Sequence, residues 1–437
     1  MTPRTKDARK KRRATPSPAA LPISNSRTSD ISTNTRIAMN KYLPKIIAAL
    51  VPLLAFSCSS GNKTELAEGF YAISLPTQDK EKTINLSHVA DSIAYIPLET
   101  TDSCKIENIW KVVPTKDYLV IMDRKTQEHV YLFTREGKFV REISSKGTAE
   151  NQYAFLNDIT ADPETNTIYI LDGARRVILE FSPQDSLLSK TPILFYAENF
   201  QLTGGKTFAL NTNYNKSKYL PGATPALILM SLSDGVLGRY MVRPQELDPS
   251  YIIGLRTNFS RTKDGTTFIA PLCDTIFLAG EKEARPLYLA DFGNDNETEN
   301  QKQIESLLKE KPAVYSLEEQ YRQMDKVFMT GFYAFDDVAM ITYSKLSRNY
   351  VAFFYPESGK VIDACTLEPR ITIPVGNDMD GLTVFSPLGS EGNRMYCYTT
   401  LSLSDNATAL TPEAEKAKAA YKPGDNPVLS VVTLKVK

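Results

Sequence analysis

Tyr118–Ile143 reads YLVIMDRKTQEHVYLFTREGKFVREI: three short apolar runs, YLVIMD, HVYLF and KFVREI, parted by polar turns at Arg124–Glu128 and Thr134–Gly137. Each run is too short for a helix and rich in the Val, Ile, Tyr and Phe that suit a pleated, half-buried surface. Gly137 falls where a tight hairpin asks for a positive φ. The stretch predicts a β-meander. Thr167–Leu188, TIYILDGARRVILEFSPQDSLL, repeats the phrase, with Asp172 answering Asp123 and Phe181 answering Phe133. A meander that returns about every fifty residues is the signature of a propeller blade.

Six such segments run along the chain, anchored by VIMD (to Asp123), YILD (to Asp172), FALN (to Asn211), FIAP (to Pro271), MITY (to Tyr343) and MYCY (to Tyr398). The third carries a long polar loop, Asn211–Pro225. Between the fourth and fifth lies Asn294–Lys326, dense in Glu, Gln and Lys. Ile304, Leu307 and Leu308 stand at helical spacing before Pro312, and Leu317, Tyr321 and Met324 after it. That pattern predicts a helix, a break and a second helix. The final apolar run, Val428–Val436, is expected to pair with Ile84–Leu98 and so remove the exposed edges of an open array. The expectation is an all-β, six-bladed β-propeller over residues 83–437 with a short helical insertion between blades four and five.

The chain has 437 residues, 42% hydrophobic and 23% charged, and a net charge of zero. That zero averages two unlike parts. Residues 1–38 hold nine Lys/Arg, RKKRR among them, and two acidic residues, in a setting of Ser, Thr and Pro that cannot bury a core. They read as a disordered extension: either a basic targeting or nucleic-acid arm or, more simply, residues preceding a true start at Met39. Residues 39–57 place Lys41 and Lys45 before an apolar core, Ile46–Phe56, far short of the ~20 residues that span a bilayer, so they read as a signal peptide. The core ends in Leu54-Ala55-Phe56-Ser57-Cys58, which resembles a bacterial lipobox and implies lipid attachment at Cys58. Residues 58–82 are expected to be a tether. Of 51 Lys/Arg and 51 Asp/Glu, 11 and two precede Cys58, which leaves 40 and 49 and a net charge of about −9. Nucleic acid is not an expected partner.

The run Tyr95-Ile96-Pro97-Leu98-Glu99-Thr100, then FTREGKFVREISSKG at Phe133–Gly147, then Leu156–Asp162 before TIYILD, resembles the six-bladed propeller lipoproteins of Bacteroidetes, whose architecture is akin to NHL-repeat propellers. Asn377-Asp378-Met379-Asp380-Gly381 also resembles an element of that family. Where such proteins carry a Gly-Pro-Gly-Glu-Tyr-like loop, this chain has Thr148–Tyr153 and keeps only an acidic residue and a Tyr. The resemblance covers 84–437 and implies a fold and a place in the cell envelope, on the periplasmic side or the outer-membrane surface. It implies no activity.

No catalytic set can be named. The chain has two His, His88 and His129, and lacks G-x-S-x-G, H-E-x-x-H and a phosphate-binding Gly loop. Cys104, Cys273, Cys365 and Cys397 show no C-x-x-C spacing, so no metal and no cofactor is expected. Asp378, Asp380 and Asn377 alternate oxygen donors as a calcium loop does, but without the rest of one, and read first as a turn. Asp123 and Asp172 read as turn caps. Binding is better supported, by 22 Tyr and polar loops. Tyr214, Lys216 and Tyr219 are the first candidates, and Arg175 and Arg176 the second. The expected partners are the membrane, through the lipid, and a glycan, peptide or envelope protein held at one mouth of the propeller. The alternatives are a carbohydrate-active lyase or hydrolase and a protein–protein scaffold.

Overall fold

Six antiparallel meanders of four strands each follow one another around a common axis. A computed structural model describes residues 62–77, 82–215, 217–220, 223–244, 258–270, 273–295, 327–346, 348–368, 371–404 and 406–437, all within one compact unit, Ser59–Lys437. Blade one is Ile109–Pro114, Tyr118–Arg124, Glu128–Thr134 and Phe139–Glu142, and blade two runs from Leu156–Ala161 to Leu187–Pro192. Blades three, four and five begin at Asn199–Gly204, Phe259–Thr262 and Phe328–Ala334, and blade six at Thr383–Glu391. Five of the six anchoring runs read from the sequence fall on second strands; the fourth, FIAP, meets its strand, Gly265–Phe268, only at Phe268, and Pro271 lies outside the described residues. The hairpin expected at Thr134–Gly137 forms, with Gly137 at φ 86°.

Most second strands read as nearly unbroken apolar runs because both of their faces are covered; that of blade four, Gly265–Phe268, is the exception. In blade one, Val120 and Met122 pack towards Leu156, Ile168 and Ile170 of blade two. Their neighbours Leu119 and Ile121 face the other way, towards Tyr396 and Leu429 of blade six. The period-two alternation of a strand thus serves two blade interfaces at once. Blade two does the same, sending Tyr169 and Leu171 against Phe200 and Phe208 of blade three.

The ring closes as expected. Blade six takes three strands from the C-terminal part and its outermost, Ala90–Pro97, from the N-terminal part, with Val428 opposite Pro97 and Leu434 opposite Ala90. The segment expected as a tether carries more structure than that reading gave it. Lys63–Ala67 and Phe70–Ser74 form a hairpin whose second strand runs parallel to Ala284–Asp291, so blade four has six strands. Beyond it, Lys82 bridges Cys365 of blade five, and Ile84 pairs with Val375. Edge strands offer unpaired backbone groups, and this strap covers several of them.

Between the second and third strands of blade six lies a helix the sequence reading missed, Pro412–Ala420. Thr411 caps it, its Oγ1 accepting from Ala414 N–H at 3.1 Å, with Pro412 in the first turn. The helical insertion expected within Asn294–Lys326 falls, from residue 296 on, outside the described residues. Asp123 and Asp172 are buried and act as caps, though chiefly of the chain entering the blade. Asp123 accepts from Glu107 and Asn108 N–H, and Asp172 from Ala154 and Phe155 N–H.

A candidate binding site at the mouth of the central channel

The first strand of each blade lines the axis, and polar residues there point into the channel rather than into an interface. Where the first strands of blades one to four begin, they enclose a cavity of about 180 Å³ at one mouth. Its rim is aromatic. Trp110, the one Trp of the chain, and Phe155, just before the first strand of blade two, are 37% and 38% exposed, unusually open for such large rings. Arg124, at the end of the second strand of blade one, lies between them. Its guanidinium carbon is 5.6 Å from the centre of the Trp110 ring and 5.2 Å from that of Phe155. Both distances are within cation–π range.

Carboxylates and amides line the rest. Asp158 takes Lys111 Nζ at 2.9 and 3.0 Å and Phe200 N–H at 3.0 Å, which joins the inner strands of blades one, two and three. Asn157 donates to Tyr196 Oη and to Ala197 O, both at 3.2 Å. Gly173 is needed beside it, because a Cβ there would stand 1.9 Å from Asn157 Oδ1. Asn199 donates to Asn258 Oδ1 at 2.9 Å. Glu198 accepts from Asn213 Nδ2 at 2.6 Å, and burial raises its carboxyl pKa against the pull of that hydrogen bond and of Arg124. The mouth therefore offers two stacking faces, a fixed cation, planar amides and a carboxyl group held towards its neutral form.

The residues singled out from sequence surround this cavity without forming it. Arg175 donates to the carbonyls of Gly147 (2.9 Å), Ala149 (3.3 Å) and Gln152, and so staples the loop that ends at Phe155. Arg176 is exposed and, with Tyr196, Ser217 and Lys218, lines a neighbouring depression that shares Tyr196 with the mouth. Tyr214 is buried against Ala209 and Leu227. Tyr219 is exposed beneath Lys218 Nζ, 4.8 Å from its ring centre. Lys216 lies outside the described residues. From that loop it is Asn213 that reaches the mouth, through Glu198.

Asp380 is engaged on every side, by Leu382 and Thr383 N–H, Thr383 Oγ1, Tyr95 Oη and Asn377 Nδ2. Those contacts make the Asn377–Gly381 stretch a closed turn. Among the described residues no group of three or more His, Cys, Asp or Glu comes together as metal ligands would.

The fold has a solved counterpart. A crystal structure from Bacteroides fragilis, described as a putative exported protein, superposes with a TM-score of 0.65 at 17% identity, covering 83% of this chain and 99% of that one. A member of the DUF4221 family from Bacteroides vulgatus covers 80% of this chain and 98% of its own, at 12% identity and a TM-score of 0.45. No curated protein matches. The expected kinship with six-bladed propellers of Bacteroidetes is borne out, and a family model spanning residues 70–433 gives it a place: the chain belongs to the family described as Domain of unknown function (DUF4934).

Proposed function

We propose that this protein is an exported binding module, held at the cell envelope through a lipid on Cys58, that receives one ring of a glycan at the channel mouth. The observation that carries this reading is Arg124 held between the exposed rings of Trp110 and Phe155, above a cavity lined by amides and carboxylates. A sugar ring presents a C–H face that stacks on an aromatic and an edge of hydroxyls that pair with planar amide and carboxylate groups. About 180 Å³ is less than the ~300 Å³ or more of pockets for larger ligands, and it suits a single terminal ring. Export is supported by the signal-like segment at 39–57 and by the exported description of the Bacteroides fragilis counterpart. No helix among the described residues is long and apolar enough to cross a membrane.

Because Trp110 is the only Trp, its emission reports on the mouth directly. Titrating the full chain with a glycan panel is expected to give a saturable spectral change for a subset of sugars. Arg124→Ala should weaken that binding about tenfold, the worth of one well-placed contact of about 1.4 kcal/mol. No change across the panel refutes the glycan reading, and a response to peptides alone transfers the site to peptides. Cys58→Ser is expected to move the protein from the membrane to the soluble fraction, and a variant that stays on the membrane refutes the anchor.

A second reading, glycan cleavage, rests on Glu198. It is an acid with raised pKa facing the same cavity as the ion-paired Asp158, as an acid and its partner would be placed. Product release from a bound glycan, lost in Glu198→Gln, would establish it.

A further inference from the structure

Below the mouth, and sharing Lys111 and Phe259 with it, the channel widens to a cavity of about 420 Å³. Three cations line it: Lys111, Arg261 and Lys263. Two of them are neutralised, Lys111 by Asp158 and Lys263 by Asp337 at 2.7 Å. Of the acids lining the same space, Glu391 is held by Arg135 at 2.5 Å, Asp336 accepts from Lys263 N–H at 2.8 Å, and Glu164 is exposed at the wall.

Arg261 is different. It extends from the first strand of blade four to the first strands of blades two and three, where its Nη2 donates to Ala161 O at 3.3 Å and to Leu202 O at 3.0 Å. Among the described residues no carboxylate comes within ion-pairing distance of it. Burial lowers its pKa, and the field of Asp162 offsets this only in part. A guanidinium does not give up its proton in a protein, so it stays a cation without a counter-charge. Buried charge in that state is costly unless something else completes it. Nε and Nη1 make no hydrogen bond with the described residues, yet neither is among the buried polar atoms sealed from solvent. They open on the channel.

We propose that the central channel binds an oxyanion, a carboxylate or a phosphate, on the free edge of the Arg261 guanidinium. The planar fork matches two oxygens of such a group at once, where an ammonium would supply only a point charge.

The competing account makes Arg261 a strut that ties three blades together and binds nothing. Calorimetric titration of the full chain at constant ionic strength, once with acetate and once with inorganic phosphate, separates the two. Saturable binding of one stoichiometric anion, weakened at least tenfold in Arg261→Gln and less in Arg261→Lys, is expected. The anion that saturates identifies the source as carboxylate or phosphate. No saturation by either anion in the wild-type chain, or equal binding by Arg261→Gln, overturns the proposal. Should Arg261→Gln fail to fold, wild-type crystals grown with bromoacetate give the answer by anomalous scattering. Bromine beside Arg261 in the channel supports the site, and its absence there overturns it. The glycan reading is tested by Trp110 emission and this one by heat, so either can fail alone.

Discussion

Replacing Asp158 with Ala removes the acceptor that joins the inner strands of the first three blades. The carboxylate is 6% and the Lys111 side chain 23% exposed. Breaking a fully buried pair costs about 3–5 kcal/mol, because the surviving charge is left uncompensated. Lys111 retains some water, so about 1–2 kcal/mol is the better figure for it. The Phe200 N–H, paired at 3.0 Å in the native chain, is left buried and unpaired for roughly 1–2 kcal/mol more. The sum is about 2–4 kcal/mol. With an unfolding entropy of ~2.1 cal/mol/K per residue, a folded body of nearly four hundred residues loses about 1.3 °C of Tm per kcal/mol, so the midpoint should fall by roughly 3–5 °C. Asp158→Asn, which keeps an oxygen for Phe200 N–H, should cost about half as much. Adding Lys111→Met to Asp158→Ala should restore about 1–2 kcal/mol, since the orphaned ammonium is gone. Urea unfolding of these four proteins and of Lys111→Met alone, at equal m-value, measures all of this. A loss below ~0.5 kcal/mol in Asp158→Ala, or a Lys111–Asp158 coupling below ~0.5 kcal/mol, would refute the claim that this pair is a stressed link of the ring.

Other outcomes follow from single sites. Gly137 sits at φ 86°, with space for a Cβ only 2.1 Å from Pro97 O, so Gly137→Ala should destabilise by ~2 kcal/mol or more in the same unfolding assay. Burial pushes the Cys104 and Cys397 thiols up to about 12. Both should resist iodoacetamide at pH 8 until the chain is denatured, as peptide mass spectrometry would show. Burial alone would raise the Asp380 carboxyl, but hydrogen bonds from Thr383, Tyr95 and Asn377 outweigh it and lower its pKa. Its ionised form therefore stabilises the fold above the unfolded value of about 3.9, and that contribution is lost as pH falls through the folded value. Thermal melts should show the advantage of wild type over Asp380→Asn to be full at pH 6 and shrinking below about pH 4. Deleting residues 1–76 uncovers the edge strand Ala284–Asp291, and sedimentation velocity should then show concentration-dependent self-association.

Most of the blades were legible because their second strands are covered on both sides and so read as short, mainly apolar runs between turns. Closure was legible because Val428–Val436 has no use except to pair. The mouth was not. Trp110, Arg124, Phe155, Asp158 and Glu198 come from separate strands and loops of three blades, and no local window contains the cavity they form. Two signals were nonetheless present: a lone Trp at the head of a blade, and Asn157-Asp158 set within the otherwise apolar LNDITA. A polar pair on such a run must face something other than a neighbouring blade. Attention to the Tyr-rich loop failed for a backbone reason. Asn213 and Tyr214 both take left-handed φ, 50° and 56°, which turns the Tyr214 ring into the core and the Asn213 amide towards Glu198. The helix at Pro412–Ala420 has few apolar residues to mark a face, though Thr411-Pro412 was a readable start.

The inner strands carry two burdens at once. They cannot bury both faces in apolar interfaces as the second strands do, so they hold the polar residues that a ligand could meet. Those same residues tie neighbouring blades. Lys111 reaches Asp158, Asp158 reaches Phe200 N–H, Gln201 Nε2 donates to Thr160 Oγ1 at 2.9 Å, and Arg261 spans to Ala161 and Leu202. Recognition and ring cohesion thus draw on one set of side chains. A ligand that completes the charge of Arg261 or stacks on Trp110 should stabilise the ring beyond its own contacts, because it relieves groups whose pairing is shared between blades. Thermal stabilisation by an anion on Arg261 should accordingly be weakened by Asp158→Asn, which lines the mouth but not the Arg261 cavity.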